Sequence, residues 1–384
     1  MKILVDCSTA KLGGAKTYFQ QILRATGELG GSHSWVFYGP YGCRRALAAG
    51  SPSVELREIP RLYAGPLGSL GWFSAVLPRI IRRERADVLF ATTGFGMLSP
   101  PCPQMILIRN PIYFSDLYEK QIKNPWLKVE LFLRRSISLR MIRSSAAVLF
   151  PTRAMGDLVT RYLALDPDRV VIAPYGCDGE LFRRPSQDAG WLPEVLVRTR
   201  KQFLLNVSLY CAQKNFTVLF KALGILRQEG EIRPLALTTY VKPASNSTYP
   251  EDRAVIVREH LEEQVLQLGP VPRKRLPALY QAAGLFVFPS FVESFGHPLV
   301  EAMAAGLPIL AADTPVNREV CGPAAVYVPP FDPQAWAVWI RRLLGDPAEC
   351  ERLRQSAQIQ AAGFSWRAHV SAVVQTAERL AGAP

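Results

Sequence analysis

The sequence runs to 384 residues, 49% of them hydrophobic, with a formal net charge of +13. That length favours two domains over one, and no stretch approaches the roughly 18 uncharged apolar residues of a membrane-spanning helix. His33, His260, His297 and His369 stand far apart without metal-ligand spacing, and seven cysteines without a CxxC pair point to reduced thiols, not a disulfide scaffold.

The first residues, MKILVDCSTA, enter a strand without the basic region and long apolar core of a signal peptide, so a cytoplasmic protein is expected. Strand-like runs follow at 2–8, 35–39, 54–59, 87–93, 105–110, 146–152 and 169–176. A second series stands at 203–209, 235–241, 265–271, 285–290, 308–313 and 325–330. Helical patterns separate many of them. Short apolar runs alternating with helices predict an α/β fold, parallel sheets covered on both faces, formed twice over. The break falls at DGELFRRPSQDAGWLP, 178–193, a polar and proline-containing stretch. Residues 1–176 carry 23 of the 45 basic side chains but only 12 of the 32 acidic ones. A basic first half calls for an anionic partner such as nucleic acid, a phospholipid surface or a phosphate-bearing acceptor. No aromatic-interleaved basic motif or known nucleic-acid module is present, which argues against the first.

Along the first half, Gly13-Gly14 reads either as a close backbone approach to a ligand or as a tight turn before a helix near Ala15. Leu62-Tyr63-Ala64-Gly65-Pro66-Leu67 and Trp72-Phe73 are apolar residues around a glycine-rich loop, readable as a lipid-facing edge, and RIIRRER (79–85) adds arginines. Asn110, before Pro111, is either a turn residue or an amide able to orient a hydroxyl. WLKVELFLRRSISLRMIR (126–143) mixes Trp126, Leu131 and Phe132 with Lys128, Arg134, Arg135, Arg140 and Arg143. It suits either an anionic membrane surface or a core-packed helix. Asp166-Pro167-Asp168 has no supporting acids and reads as a loop, not a metal-binding DxD.

In the second half, the strand 285–290 leads into FPSFVESFGHPLVEAMAAGLP, 288–308. Pro298 suits a first helical position, Leu299 to Ala305 are good helix formers, and Gly306 is a C-terminal stop. Glu293 is then expected in the loop and Glu301 in the first helical turn. Backbone N–H groups near Phe295, Gly296 and His297 favour an anion, and Gly296 leaves room for it. Carboxylates on either side suit hydroxyl donors, as sugars provide. Taken singly, Glu301 also reads as a favourable helix-end charge and Glu293 as a solvated loop residue.

ESFGHPLVEAMAAGLP resembles the E-x7-E signature of the family-4 retaining glycosyltransferases, which have the GT-B fold. The resemblance extends over nearly the whole chain. It includes the Gly13-Gly14 pair, VVIAPYGCDGELF (171–182), NVSLYCAQKNFTVLFKAL (206–223) and LGPVPRKRLPALYQAAGLFVFPS (268–290). It implies two Rossmann-like domains whose parallel sheets face across a central cleft. An acceptor-side domain at 1–176 would be joined by a helix at about 365–384 packing back on it, and a donor-binding domain would span 177–364. By the same resemblance, Glu301 would hold the nucleotide ribose and Glu293 the sugar hydroxyls. Ser294 and the amides of Phe295 and Gly296 would hold the diphosphate, with Gly13 and Gly14 approaching it. Val271 would lie against the base, and Lys214 would neutralise the leaving diphosphate. No metal or other cofactor is implied; the nucleotide-diphosphate sugar is a co-substrate.

Two positions depart from the family pattern. Leu209 stands where many relatives have an arginine, leaving Lys214, Arg273 or Lys274 to carry that charge. Asn110 stands where many have a histidine. The resemblance implies a saccharide or lipid-linked acceptor in envelope polysaccharide or glycolipid synthesis, met at the inner face of the membrane. Alternatives are an isomerase like the UDP-N-acetylglucosamine 2-epimerase, for which the histidines are few, and a non-catalytic nucleotide-sugar-binding protein.

Overall fold

The computed structural model describes residues 1–11, 13–30, 33–43, 52–63, 65–186, 188–243 and 248–382. Leu12 and Ala64, and the side chains of Pro66 and Leu67, lie outside the described residues. The chain folds into two compact units, Met1–Gly176 with Ser365–Pro384, and Cys177–Phe364.

The first unit is built on seven parallel strands: β1 (Lys2–Asp6), β2 (Ser34–Gly39), β3 (Val54–Glu58), β4 (Val88–Ala91), β5 (Gln104–Leu107), β6 (Ala147–Phe150) and β7 (Val170–Ile172). Their order is β3-β2-β1-β4-β5-β6-β7. The second unit has β8 (Leu204–Asn206), β9 (Leu235–Leu237), β10 (Val265–Gln267), β11 (Leu285–Phe288), β12 (Ile309–Ala312) and β13 (Ala325–Val328). These are ordered β10-β9-β8-β11-β12-β13. Each expected apolar run contains one strand, because a strand covered on both faces cannot alternate polar with apolar residues. Most of the strands are shorter than the runs, whose carboxyl ends become loops.

The strand order reverses between β1 and β4 in one unit and between β8 and β11 in the other. At such a reversal the following helices leave on opposite faces, and the loops after the two strands open a crevice at the carboxyl edge. Loop residues after β8 and β11 are therefore the ones the fold brings together.

Two buried titratable groups of the first unit, Asp6 and His369, bear on its stability. Asp6, the last residue of β1, accepts hydrogen bonds from Trp72 Nε1 (2.9 Å) and Ser8 Oγ (3.1 Å). Burial pushes its carboxyl up to about 6, against those two bonds. Trp72 is thus a core residue packed with Tyr38, Leu77 and Leu89, and Phe73 packs against the same cluster. The lipid-facing reading of this pair is corrected: the indole must supply a donor to a buried acid. The second group, His369, sits in the helix Trp366–Gly382. Its Nδ1 lies 3.1 Å from the Ala173 carbonyl, which only accepts, so Nδ1 carries the proton and Nε2 accepts from Tyr18 Oη at 2.8 Å. Burial holds the imidazole down at about 4.

These groups pull stability in opposite directions. Asp6 ionises near 3.8 when unfolded and about 6 when folded, so its contribution falls as pH rises across that window. His369 protonates near 6.5 when unfolded and about 4 when folded, so its contribution falls as pH drops across that range. Asp6→Asn should therefore gain stability relative to the parent protein between pH 4 and pH 7, by about 2–3 kcal/mol. Urea unfolding at several pH values measures this difference; a difference that does not change with pH contradicts the buried-acid assignment.

Candidate functional site

The loop after β8 is fixed to its neighbours by backbone acceptors. Asn206 Nδ2 donates to the Val287 carbonyl at 2.8 Å, tying β8 to β11. The loop ends in a tight turn, Ala212–Lys214, and Asn215 takes a left-handed conformation (φ 53°) before the helix Phe216–Gln228. The Gln213 carbonyl accepts from Phe291 N–H and Ser290 Oγ, both at 3.1 Å, and Asn215 Nδ2 donates to the Pro330 carbonyl at 2.6 Å. Held in this way, the Lys214 ammonium forms an ion pair with Glu293 from the loop after β11. Both side chains are largely buried. Burial works against the Lys214 charge, but the Glu293 carboxylate more than offsets it, and the ammonium's pKa stands above its ordinary value.

A second acid–base pair lies in the same unit. Glu301 belongs to the helix His297–Ala304. It stands in the second turn, not the first, because the helix begins at His297. There it is a buried side chain instead of a solvated helix-end charge. Oε1 accepts from Arg273 Nη1 at 2.6 Å and Oε2 from Tyr280 Oη at 3.1 Å. Burial pushes the Glu301 carboxyl up, while Arg273 and then Tyr280 pull it down. The Arg273 guanidinium also lies over the Phe182 ring, 5.4 Å from its centre. Arg273 is thus committed to Glu301, while Leu209 is 56% exposed in the loop after β8.

Between the two acids, Gly296 adopts φ 85° at the helix start, and a Cβ there would stand 2.9 Å from Leu299 Cδ1. Ser294 is half-buried. The Phe295 ring packs 5.4 Å from both Phe364 and His297. Val271 is half-buried in the loop after β10, close to Gly269. Gly269 has φ 69°, and a Cβ on it would meet the Tyr240 ring at 2.3 Å. Sequence reasoning missed Tyr280 and Asp252. Asp252 is buried and accepts from Tyr210 (2.5 Å), Thr217 (2.5 Å) and Thr248 (2.6 Å), anchoring the Lys214 loop from behind. Only their residue types could have flagged them; local spacing does not.

The remaining candidates lie in the first unit. Gly13 (φ 55°) opens the helix Gly13–Leu29, which starts there and not at Ala15. Asn110 stands beyond β5, and its Oδ1 accepts from Ile112 N–H at 3.3 Å, the turn arrangement. Neighbouring Arg109, not singled out from the sequence, lies 5.0 Å over the Tyr18 ring, with its buried Nη1 unpaired among the described residues. Asp166 accepts from Asp168 N–H at 3.0 Å in a turn before β7, as a loop reading requires.

Two parallel α/β units of this order are the GT-B architecture of glycosyltransferases. The structure superposes on the sucrose-phosphate synthase of Thermosynechococcus elongatus with a TM-score of 0.76 at 17% identity, covering 99% of this chain and 98% of that one. It superposes on Anabaena Alr3699/HepE, solved in complex with UDP-glucose, with a TM-score of 0.74 at 18% identity over the whole of both chains. At that identity the likeness speaks to fold alone. In sequence, residues 12–181 match the Glycosyltransferase Family 4 description and residues 191–360 match Glycosyl transferases group 1. The chain belongs to the group 1, family 4 glycosyltransferases. The D-inositol 3-phosphate glycosyltransferase of Salinispora tropica is 34% identical over 55% of this chain and 46% of that protein. The O-antigen chain mannosyltransferase B of Escherichia coli is 31% identical over 54% of each. The matched stretches thus span about half the length of these relatives.

Removing Arg273 would leave Glu301 buried without its cation. Arg273→Ala should destabilise the protein by about 3 kcal/mol at pH 8. The loss should shrink toward pH 5, since a carboxyl deprived of its partner takes up a proton more readily when folded. Equal losses at both pH values, read by chemical unfolding, contradict a charged Glu301.

Proposed function

We propose that the protein is a retaining, metal-independent hexosyltransferase that moves a sugar from a nucleotide-diphosphate sugar to a hydroxyl of a saccharide or lipid-linked acceptor. The observation that supports this reading is the pair of neutralised acids, Lys214–Glu293 and Arg273–Glu301, on either side of the helix start at Gly296. A neutral pair can separate when a ligand offers each member a better partner. An incoming diphosphate attracts the Lys214 ammonium, which frees Glu293 to accept from sugar hydroxyls. Glu301 accepts from the ribose hydroxyls while Arg273 keeps its charge compensated. The amides of Ser294, Phe295 and Gly296 complete the anion cradle, and the backbone near Val271 lies against the base.

In the transfer step the bond from the anomeric carbon to the phosphate oxygen breaks. The acceptor oxygen bonds to that carbon on the same face, and its proton passes to the departing phosphate oxygen. Lys214 and the helix-start amides stabilise the charge that develops there. Asn110 would orient an acceptor hydroxyl through its amide nitrogen, and Gly13 and Gly14, which carry no side chain, would permit close approach of a phosphate. A relative named for an O-antigen chain supports a saccharide acceptor, and one named for an inositol phosphate supports a phosphate-bearing acceptor. We place the reaction at the cytoplasmic face of the membrane, in envelope polysaccharide or glycolipid synthesis.

Incubation with labelled nucleotide sugars, with and without acceptor, tests the reaction class. Acceptor-dependent release of nucleoside diphosphate in excess chelator is expected. An epimerised sugar, binding without turnover, or activity that only Mn²⁺ restores would overturn the proposal. Lys214→Ala should slow turnover by roughly 2–4 kcal/mol of lost transition-state stabilisation, compared at a temperature where unfolding curves show the variant folded, since the change also leaves Glu293 without its cation. Near-normal turnover would assign the leaving group to another cation.

A further inference from the structure

The helix Pro125–Arg143 in the first unit buries only Leu131, Ser138 and Ile142. Its opposite side is apolar instead of polar. Trp126, Val129, Phe132, Leu133 and Ile137 are 79%, 50%, 58%, 54% and 41% exposed. At 3.6 residues per turn, Trp126, Val129, Leu133 and Ile137 form one stripe facing away from the buried line, with Phe132 on its flank. Scattered exposed apolar residues are ordinary, but a continuous stripe on one helix marks an interaction surface.

Charge identifies the occupant. Lys128, Arg140 and Arg143 are exposed on this helix. Its sole acid, Glu130, is ion-paired with Arg134 at 2.7 Å. A second copy of the chain docked on the stripe would bring like charges together. An anionic lipid surface matches both the apolar stripe and the exposed cations, of which Arg140 continues the stripe at its C-terminal end while Lys128 and Arg143 lie to one side. No described helix is long and apolar enough to cross a membrane, so the fitting geometry is one lying in the interface, where tryptophan is favoured. Arg135 is not one of these cations. It is held by Glu119 (3.1 Å) and Tyr162 Oη (3.2 Å), which corrects its reading as a lipid-facing charge.

We propose that the Trp126–Val129–Leu133–Ile137 face inserts into the interfacial layer of a bilayer containing anionic lipid, with Lys128, Arg140 and Arg143 against the headgroup phosphates. This extends the lipid-linked acceptor reading, but it stands on the helix alone and does not depend on the donor chemistry. Co-sedimentation with phosphatidylcholine vesicles, with and without phosphatidylglycerol, tests it in the intact protein. Binding should require phosphatidylglycerol and weaken with salt. The W126S/F132S/L133S variant should lose at least about tenfold in partitioning. The K128Q/R140Q/R143Q variant should lose the lipid preference and the salt dependence. All these side chains are exposed, so an unchanged melting temperature would show that each variant is folded. Failure of the parent protein to sediment at low salt overturns the proposal, as does a serine variant that binds as the parent does. A parent that ignores vesicles but self-associates, with monomers restored by the serine changes, also overturns it and assigns the face to a homodimer.

Discussion

A cation and an acid withdrawn from water have to meet each other, and in this protein Lys214 meets Glu293. The contact is possible only because β8 and β11 are neighbours at the point where the strand order reverses. Their loops therefore leave the same edge of the sheet. Gln213, Ser290 and Phe291 lock one loop to the other through a shared carbonyl, so the pair's position follows from strand pairing more than from the side chains themselves. Asp252 extends this support to the rear of the loop.

The same logic governs the second pair. Glu301 is buried by the helix that packs against the sheet, and a lone carboxylate there would cost several kcal/mol. Arg273 and Tyr280 offset part of that cost, although burial still leaves the carboxyl's pKa above its ordinary value. Two compensated pairs bring little net charge of their own, yet on the proposed reading the Lys214–Glu293 pair would offer its cation to a diphosphate and its carboxylate to hydroxyls when it opens. Arg273 is paired with Glu301, and Leu209 stands exposed where the family resemblance implies an arginine. On the proposed reading, the phosphate end would rest on Lys214 and the helix start.

The fold was legible because its signal is local. Runs such as LFVFPS and PILAAD are apolar throughout, as only doubly covered strands can be, and each contains a strand. The E-x7-E spacing likewise picked out Glu293 and Glu301, each of which is ion-paired in the structure. What the sequence hid was depth and partnership. Glu301 could be placed on a helix, but its burial depends on packing by distant residues, and its partner Arg273 lies 28 positions away. Trp72 looked like a lipid-facing aromatic because nothing nearby announces that it donates to Asp6. The helix 125–143 showed the converse. Its mixed composition fitted either a packed or a membrane-facing helix, and only the exposure of each side chain separated the thin buried line from the open stripe.

In the proposed reaction the Lys214–Glu293 pair divides between leaving group and sugar. Calorimetric titration of Glu293→Gln with a nucleoside diphosphate and with the matching nucleotide sugar measures this directly. The variant should bind the diphosphate at least as tightly as the parent protein, since Lys214 is released from its acid, and should lose the additional affinity contributed by the sugar. Weakened diphosphate binding, with the sugar's contribution intact, would contradict the division and leave Glu293 as an anchor for Lys214.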